Sequence, residues 1–325
     1  MAIGESGSMI GSVSGGCVET AVVERALNIL SGGEATLESY GLADEQDLGV
    51  GLPCGAVDVL VEPLPSGPAW DAVVDALRER VAFVCAVVLD PPAWRGRRIS
   101  LAAAVDGKPG SLPCATTPQL RRTGSIDPSV DDAVAALLEE YANLERSEVV
   151  ELETAGSALR LFVNAASAPE SLFVIGATDI AAQLAALADR AGFRVFVIDP
   201  RSAFADARRF PDDVALIRLR PEQALEDDAA VAGASVVTLS HDAKFDLPAL
   251  QRALAAGAEY VGALGSRRTH AQRCEMLRAA GVSEAEIEKI HAPVGLDIGA
   301  TGPYEIAVSV LAELIAHRAR RRAGS

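Results

Sequence analysis

The sequence predicts an α/β protein in which an N-terminal α+β domain precedes a Rossmann-like domain with a doubly wound parallel sheet. Three observations lead to this fold class. The 325 residues suit two domains. The composition is 50% apolar and only 4% aromatic, as in globular chains rich in alanine and valine. Short apolar runs alternate with helical periodicities in the second half. We expect domains at residues 1–165 and 170–320, joined by the small, polar, proline-containing segment 164–170.

The first half mixes helices and strands without regular alternation, which is typical of an α+β domain. Apolar residues at helical spacing predict helices, one of them with Asp127 as its cap and Pro128 at its first position. Short apolar or alternating runs predict strands. The predicted helices are residues 18–30, 71–80 and 128–141, and the predicted strands are residues 57–61, 81–89 and 98–105.

The second half alternates strands with helices. Several of its apolar runs are continuous enough to be buried on both faces, as in parallel sheets covered by helices. The predicted strands are residues 171–175, 194–198, 214–219, 235–239 and 260–264, and the predicted helices are residues 180–190, 248–256 and 267–280. A final helix begins after Thr301 and ends in the basic run 317–322, where positive charge suits the negative end of the helix dipole.

Charge and cysteine content exclude several classes of protein. The formal net charge of −16 argues against general nucleic-acid binding, because surplus carboxylates repel phosphates. The longest nearly continuous apolar run, residues 81–89, is too short to span a membrane, and the N-terminus lacks a signal-peptide pattern. We therefore expect a cytoplasmic protein without a membrane span. Five cysteines without a C-x-x-C pair predict reduced thiols.

Cys17 follows Gly15 and Gly16 where a glycine turn meets the start of a helix. Free backbone N–H groups at a helix start favour an anion, so we expect the pKa of this thiol to be lowered. Cys17 is therefore the best candidate for a nucleophile or a soft-metal ligand. The alternative is a small buried residue where the helix meets a strand. Glu19, in the first turn, is interpreted as a partner of the helix dipole.

Cys54 lies in a second glycine-rich segment, residues 49–55, just before a strand. Glycine lets the backbone approach a bound group closely, so Cys54 is the second catalytic candidate. Whether Cys54 lies near Cys17 is left open by the sequence. Cys85 stands inside an apolar strand run and is predicted to be a core residue.

Residues 174–181 lie where a strand turns into a helix, the position of a dinucleotide-binding fingerprint. Gly176 fits the tight turn, but Thr178 stands where a second glycine would let a pyrophosphate approach. Asp199, at the end of the next strand, could bind a ribose hydroxyl. NAD(P) binding through these residues stays open beside its alternative, a Rossmann-like scaffold that no longer binds NAD.

Two further segments should fall on the carboxyl edge of the parallel sheet, where open α/β folds bind ligands. His241 and Asp242 follow the fourth strand, and the turn after the fifth strand contains Gly265, Ser266, Arg267 and Arg268. Helix-start N–H groups together with two guanidiniums favour a phosphate or another oxyanion. The alternatives are a solvated basic turn and, for His241, a structural histidine.

Five segments carry a more specific pattern, and they are spread in order over nearly the whole chain. They are residues 11–19 (GSVSGGCVE), 51–63 (GLPCGAVDVLVEP), 239–248 (LSHDAKFDLP), 260–269 (YVGALGSRRT) and 293–313 (PVGLDIGATGPYEIAVSVLAE). Together they resemble the xanthine dehydrogenase accessory protein family, XdhC/CoxI. The resemblance implies an accessory factor that binds molybdenum cofactor, protects it while a cysteine desulfurase installs the sulfido ligand, and delivers it to a molybdenum hydroxylase. Cys17 and Cys54 match the family's cysteine motifs.

The sequence departs from this family pattern at three places. The family usually has a strand and a Ser/Pro/Gly-rich segment before the stretch matching residues 1–9, so we expect either that the start of the sequence is truncated or that the fold lacks an edge strand. Gly55 and Ala56 follow Cys54, where a second glycine is common. The Rossmann turn has lost its middle glycine, which weakens the case for NAD chemistry.

Sequence and resemblance together favour a chaperone that holds molybdenum cofactor transiently, rather than an enzyme. In this hypothesis molybdopterin lies between the domains with its phosphate against Ser266, Arg267 and Arg268, Cys17 is a metal ligand, and Cys54 is a second thiol. The expected partners are the apoenzyme of a xanthine or CO dehydrogenase-type hydroxylase, a cysteine desulfurase and a second copy in a homodimer. The alternatives are an NAD(P)-binding oxidoreductase and a scaffold that only docks a target dehydrogenase.

Overall fold

The structure is a computed structural model that describes residues 1–41, 56–103, 120–142, 144, 146–154 and 156–324. Within these ranges the chain divides into two units between Ala168 and Pro169. Each unit buries apolar cores of its own, which is typical of a domain.

The first unit contains two small antiparallel pairs and one larger antiparallel sheet. Its described strands are β1 (Ala2–Ile3), β2 (Met9–Ile10), β3 (Thr36–Tyr40), β4 (Val57–Val61), β5 (Phe83–Asp90), β6 (Arg98–Ala103), β7 (Leu120–Gly124), β8 (Ser147–Thr154) and β9 (Ser157–Ala166). Its described helices are α1 (Glu19–Leu30), α2 (Pro68–Glu79) and α3 (Asp131–Tyr141). The larger sheet has the order β7-β6-β5-β9-β8, while β1 pairs with β2 and β3 with β4.

The central strand β5 explains the almost unbroken apolar run in the sequence. Val84 and Val88 belong to a core that includes residues of α3, whereas Phe83 and Cys85 pack in a core with residues of α2. A strand buried on both faces needs apolar residues at every position. Cys85 is therefore a core residue, as predicted, and burial raises its pKa to about 11.

Helix α1 packs its apolar stripe against the β3–β4 pair. Val22, Ala26 and Ile29 are buried in one cluster with Val61 of β4. Their spacing of three or four residues is the pattern that predicts an amphipathic helix. The predicted helix at residues 18–30 is thus confirmed, with its first helical residue at Glu19.

The second unit is a Rossmann-like sheet covered by helices on both faces. Its described strands are β10 (Ser171–Ile175), β11 (Arg194–Ile198), β12 (Ala215–Ile217), β13 (Ser235–Thr238), β14 (Tyr260–Ala263) and β15 (Ile290–His291). Its described helices are α4 (Asp179–Arg190), α5 (Pro221–Ala224), α6 (Asp228–Val231), α7 (Ala243–Ala255), α8 (Arg267–Ala279), α9 (Glu284–Ile287) and α10 (Pro303–Gly324). The strands are parallel and follow the order β12-β11-β10-β13-β14-β15, which is that of dinucleotide-binding folds. The predicted doubly wound sheet is confirmed.

The strand order reverses beside β10, which neighbours both β11 and β13. Residues of α4 and α10 complete the core on one face, and residues of α7 and α8 complete it on the other. In open parallel sheets the crevice at the carboxyl ends beside such a reversal is the usual place for a ligand. The loops that follow β10, β13 and β14 therefore form the edge of interest.

Two helices of the first unit begin at residues other than predicted. Helix α2 begins at Pro68 instead of residue 71, because proline at a first helical position costs no intrahelical hydrogen bond. Helix α3 begins at Asp131 instead of residue 128, because Val130 has φ −124° and ψ −13°, outside the regular helical region. Asp127 instead accepts a hydrogen bond from Ser129 N at 3.0 Å in the preceding turn.

In the second unit, α7 begins at Ala243, five residues before the predicted start at Pro248. Asp242 caps this helix, since its Oδ1 accepts from Lys244 N at 3.0 Å. Pro248 lies inside the helix and not at its first residue. Within the described ranges, no helix is long and apolar enough to span a lipid bilayer.

Candidate functional site

The candidate thiol Cys17 lies at the start of α1, beside a loop that folds around the carboxylate of Glu19. The donors to Oε1 of Glu19 are Ser12 Oγ at 2.6 Å, Val13 N at 3.0 Å, Ser14 N at 2.9 Å and Gly15 N at 3.1 Å. The donors to Oε2 are Ser14 Oγ at 3.0 Å, Gly16 N at 2.9 Å and Val18 N at 3.1 Å. The hydrogen bond from Ser12, followed by that from Ser14 N, holds the pKa of Glu19 far below its usual range.

This arrangement corrects the expectation that the helix-start N–H groups stabilise a Cys17 thiolate. The N–H groups on both sides of Cys17 donate to Glu19, and the N–H of Cys17 donates to Ser14 Oγ at 3.1 Å. The anion held at this helix start is a carboxylate. The side chain of Cys17 is exposed, so the alternative of a buried structural cysteine is also wrong.

Gly15 and Gly16 shape this loop through their backbone conformation. Their φ angles are +80° and +123°, which residues with a Cβ rarely adopt. Both N–H groups are directed at Glu19, as in anion-binding nests formed by successive backbone amides. The backbone N–H groups of both glycines therefore already have a hydrogen-bond partner within the chain. Direct binding of a cofactor by these two glycines stays a prediction. Cys54 and the segment 49–55 lie outside the described residues.

At the carboxyl edge of the second unit, Gly176 makes the tight turn that the sequence predicts. Its φ is +97°, and a Cβ added to it would lie 2.7 Å from the Cα of Ser240. Thr178 caps α4, because its Oγ1 accepts from Ala181 N at 3.2 Å. Thr178 thus contributes to helix geometry at the position where a dinucleotide-binding turn has glycine.

Asp199 is only 1% exposed and is fully engaged inside the protein. Its Oδ1 accepts from the backbone N and the Nε of Arg201, both at 2.9 Å, and its Oδ2 accepts from Ala177 N at 2.9 Å and from Arg201 Nη2 at 2.8 Å. Burial alone would raise the pKa of Asp199, but these hydrogen bonds outweigh burial and lower it. A carboxylate has about four acceptor positions, so this geometry leaves none for a ribose hydroxyl and corrects that assignment.

The loop after β13 brings His241 and Asp242 to the same edge. His241 is exposed and has φ +57°, an uncommon conformation for a residue with a side chain. Asp242 caps α7, and its backbone N donates to Ser240 Oγ at 3.2 Å. Both residues follow the fourth strand of the parallel sheet in chain order, as the sequence predicts. In the structure the side chain of Asp242 acts as a helix cap.

The turn after β14 presents the basic residues predicted to bind an anion. Ser266 caps α8, since its Oγ accepts from Thr269 N at 3.1 Å, and Gly265 has φ +135°. Arg267 and Arg268 are exposed, and neither forms an ion pair or hydrogen bond with any described residue. Two exposed guanidiniums at a helix N-terminus form a setting in which a phosphate is stabilised.

A buried ion pair that the sequence does not predict lies behind this edge. Arg273 and Asp246 are 4% and 3% exposed, and Arg273 Nη2 lies 3.7 Å from Asp246 Oδ2. The same Nη2 donates to Leu264 O at 2.8 Å, while Ser240 Oγ donates to Asp246 Oδ1 at 2.5 Å. A signal existed in the sequence: Asp246 shares the buried stripe of α7 with Ala249, Leu250 and Ala253, where a charged residue needs a partner.

Burial dominates the electrostatics of this pair. It raises the pKa of Asp246 although Ser240 and Arg273 oppose the shift, and it lowers the pKa of Arg273 although Asp246 opposes that shift. Among the described residues, no group of three or more His, Cys, Asp or Glu side chains is arranged to hold a metal ion. Metal ligation by Cys17 therefore stays a prediction.

The architecture defines a two-unit protein whose second unit is a Rossmann-like domain with two exposed arginines in the turn that follows β14. Residues 172–314 match the XdhC Rossmann domain and residues 1–41 match the XdhC and CoxI family. The chain belongs to the XdhC and CoxI family.

Relatives with known sequences or structures extend over nearly the whole chain. The chain is 28% identical over 321 residues to a probable xanthine dehydrogenase subunit of Bacillus subtilis (strain 168), covering 97% of this chain and 86% of the relative. It is 29% identical over 319 residues to the molybdenum cofactor insertion chaperone PaoD of Escherichia coli (strain K12), covering 98% and 77%. The crystal structure of a xanthine dehydrogenase from Bacillus halodurans shares the fold, with a TM-score of 0.67 and 23% identity over 99% of this chain and 87% of that chain.

Proposed function

We propose that this chain is an accessory chaperone that binds molybdenum cofactor, supports its sulfuration and delivers it to a xanthine or CO dehydrogenase-type hydroxylase. Family membership supports a role in maturation of a molybdenum enzyme, and one similar protein is named as an insertion chaperone for this cofactor. The observation that carries the proposal is the pair of exposed guanidiniums, Arg267 and Arg268, at the start of α8 on the carboxyl edge of the parallel sheet.

This turn fits the phosphate of a pterin cofactor. The phosphate carries about two negative charges, which the N-terminus of a helix and arginine side chains stabilise together. The net charge of the whole chain is −16, so most of its surface repels anions. The two exposed arginines give this turn a local positive charge that attracts an anion. In the proposal Ser266 and Gly265 shape the turn, while Arg267 and Arg268 hold the phosphate.

Cys17 is proposed as the ligand for the molybdenum end of the cargo, with Cys54 as a second thiol. The exposed side chain of Cys17 supports this role, because thiolates are soft ligands that suit molybdenum and sulfur chemistry. The proposed partners are the target apoenzyme, a cysteine desulfurase that supplies sulfur, and a second copy of this chain. The proposed compartment is the cytoplasm. No contact of Asp199 favours the NAD(P)-binding alternative, because its acceptor positions are occupied.

The test measures molybdenum retained by the purified full chain after incubation with molybdenum cofactor and gel filtration. We expect Arg267→Ala and Arg268→Ala each to weaken retention about tenfold, the scale of one lost charge-assisted hydrogen bond. Arg278→Ala is the matched control, since Arg278 lies in the last turn of the same helix and pairs with Glu284 at 2.6 Å. Retention that falls equally in all three variants would show a general charge effect and overturn the phosphate assignment.

Delivery needs a second assay. Loaded chain is mixed with apo-hydroxylase, with and without a cysteine desulfurase and cysteine, and substrate oxidation is followed. We expect activity to require the loaded chain and to rise with the desulfurase, and we expect Cys17→Ser to reduce it. Activity that is equal with free cofactor alone would contradict a chaperone role.

A further inference from the structure

A chain of contacts connects three loops at the carboxyl edge of the second unit. It begins where Gly176 meets the backbone of Ser240 and continues through the hydrogen bond from Ser240 Oγ to Asp246. Asp246 faces Arg273, whose Nη2 donates to Leu264 O. The loops after β10, β13 and β14 are thereby linked through two charged side chains, one on α7 and one on α8.

Arg273 reaches back from the second turn of α8 to the turn that precedes this helix. Its Nη2 lies 3.7 Å from the position of a Cβ on Gly265, so the guanidinium lies directly against the Leu264–Gly265 backbone. Its other terminal nitrogen, Nη1, is buried without a hydrogen-bond partner among the described residues. An unpaired donor of this kind is rare in protein interiors, because it loses its hydrogen bonds to water.

The ion pair is a costly way to stabilise a domain. Both partners lose hydration, and replacing such pairs with apolar residues is often neutral or stabilising. A buried charged pair can instead fix the conformation of a neighbouring segment. Here that segment is the turn that presents Ser266, Arg267 and Arg268. Arg273 adds a third, buried guanidinium group behind the same turn.

We infer that Asp246 and Arg273 are positioning residues for the anion site at the start of α8: they hold the Leu264–Ser266 turn in register with the loop after β13, so that the helix N-terminus and its two exposed guanidiniums converge on one phosphate group. This inference rests on the proposed function for the identity of the cargo. The anion site itself can be tested with inorganic phosphate alone.

The experiment titrates the full chain with inorganic phosphate by calorimetry and records thermal unfolding of each variant. Asp246→Asn separates positioning from simple charge. Removing a carboxylate near an anion site strengthens anion binding if charge alone matters, whereas loss of a positioning pair weakens it. We expect Asp246→Asn to weaken phosphate binding several-fold and Arg273→Met to weaken it about tenfold. Stronger binding by Asp246→Asn would overturn the inference.

Further variants separate loss of positioning from misfolding and from failure of the proposed function. Arg273→Lys keeps the charge but cannot reproduce the geometry of the guanidinium, so we expect intermediate binding. Asp228→Asn is the control for Asp246→Asn, since Asp228 pairs with Arg252 elsewhere in the same unit, and phosphate binding should be unchanged.

In an Arg267→Ala/Arg268→Ala background, Asp246→Asn should have no further effect on phosphate binding. A full additional loss of binding would contradict action through this turn. A chain that fails to retain molybdenum cofactor but shows these phosphate effects would refute the proposed function and support the positioning role.

Discussion

Gly176 and Ser240 approach each other so closely that a Cβ on Gly176 would lie 2.7 Å from both the Cα and the Cβ of Ser240. The two residues follow the neighbouring strands β10 and β13, at the point where the strand order reverses. Gly176 also has φ +97°. Glycine is therefore required here for two reasons, because the backbone conformation disfavours a side chain and the adjacent loop leaves no space for one.

We expect Gly176→Ala to lower the free energy of unfolding by about 2–5 kcal/mol, combining left-handed backbone strain with overpacking against a backbone. Gly233→Ala is the matched control, because Gly233 has φ +74° but no atom within 4 Å of the added Cβ. It should cost only about 1–2 kcal/mol. Urea unfolding measures both values, and equal losses would show that contact with Ser240 does not matter.

Thr178→Ala tests whether Thr178 acts as a helix cap. Its Oγ1 accepts from Ala181 N, and loss of such a cap costs about 0.5–2 kcal/mol. Thr178→Ser keeps the hydroxyl group and should retain most of the stability. Chemical denaturation of the three proteins provides the measurement. A serine variant as unstable as the alanine variant would indicate that the methyl group, and not the cap, is important.

Asp199→Asn should lower the free energy of unfolding at pH 7 by about 1–3 kcal/mol. The amide nitrogen of asparagine would face the donors of Ala177 and Arg201, so at least one buried donor loses its acceptor. Asp212→Asn, at an exposed position of the same unit, is the control and should have little effect.

The same carboxylate predicts a dependence on pH. The folded-state pKa of Asp199 lies below the ordinary value of 3.8, so the stability it contributes is present above pH 3.8 and is lost as the pH falls towards the folded-state pKa. The stability difference between the parent chain and Asp199→Asn should therefore shrink below pH 3.8. A difference that is constant from pH 7 down to pH 3 would contradict this assignment.

The sequence predicts the second unit well because its fold leaves a direct pattern. Strands such as 171–175 and 194–198 are apolar at nearly every position, which a parallel sheet with helices on both faces requires. The turn at Gly176 and the basic start of α8 could also be predicted, since each follows from the end of a strand. Their structural environments could not, because they depend on contacts with distant loops.

The roles of polar residues at helix starts were the least predictable feature. Thr178, Asp242 and Ser266 all precede helices, and the sequence makes each a candidate for cofactor binding. In the structure all three cap their helices. The same side-chain oxygen can accept from a backbone N–H or contact a ligand, so residue type alone does not separate the two roles. The sequence does not predict the Asp246–Arg273 pair for another reason: its partners lie on different helices, and only packing brings them together.

Glu19→Gln should alter the reactivity of Cys17. The two oxygens of Glu19 accept hydrogen bonds from the loop residues on both sides of Cys17, and an amide would place N–H groups against those donors. The loop N–H groups would then be released, and a helix start favours a thiolate by about 0.3–1 kcal/mol. We expect alkylation of Cys17 by iodoacetamide at pH 7 to become about two- to fivefold faster, as measured by mass spectrometry of the peptide that contains Cys17.

Glu24→Gln is the matched control for this change, since it removes the same charge from an exposed position of the same helix. Its alkylation rate should equal that of the parent chain. If both variants react faster to the same extent, the effect comes from net charge and the hydrogen bonds of Glu19 do not control Cys17. If only Glu19→Gln reacts faster, the hydrogen bonds of Glu19 control the reactivity of Cys17. If this variant also retains less molybdenum cofactor, then thiol reactivity and cofactor binding are separate properties, because a loop without its contacts to Glu19 no longer holds Cys17 in a fixed position.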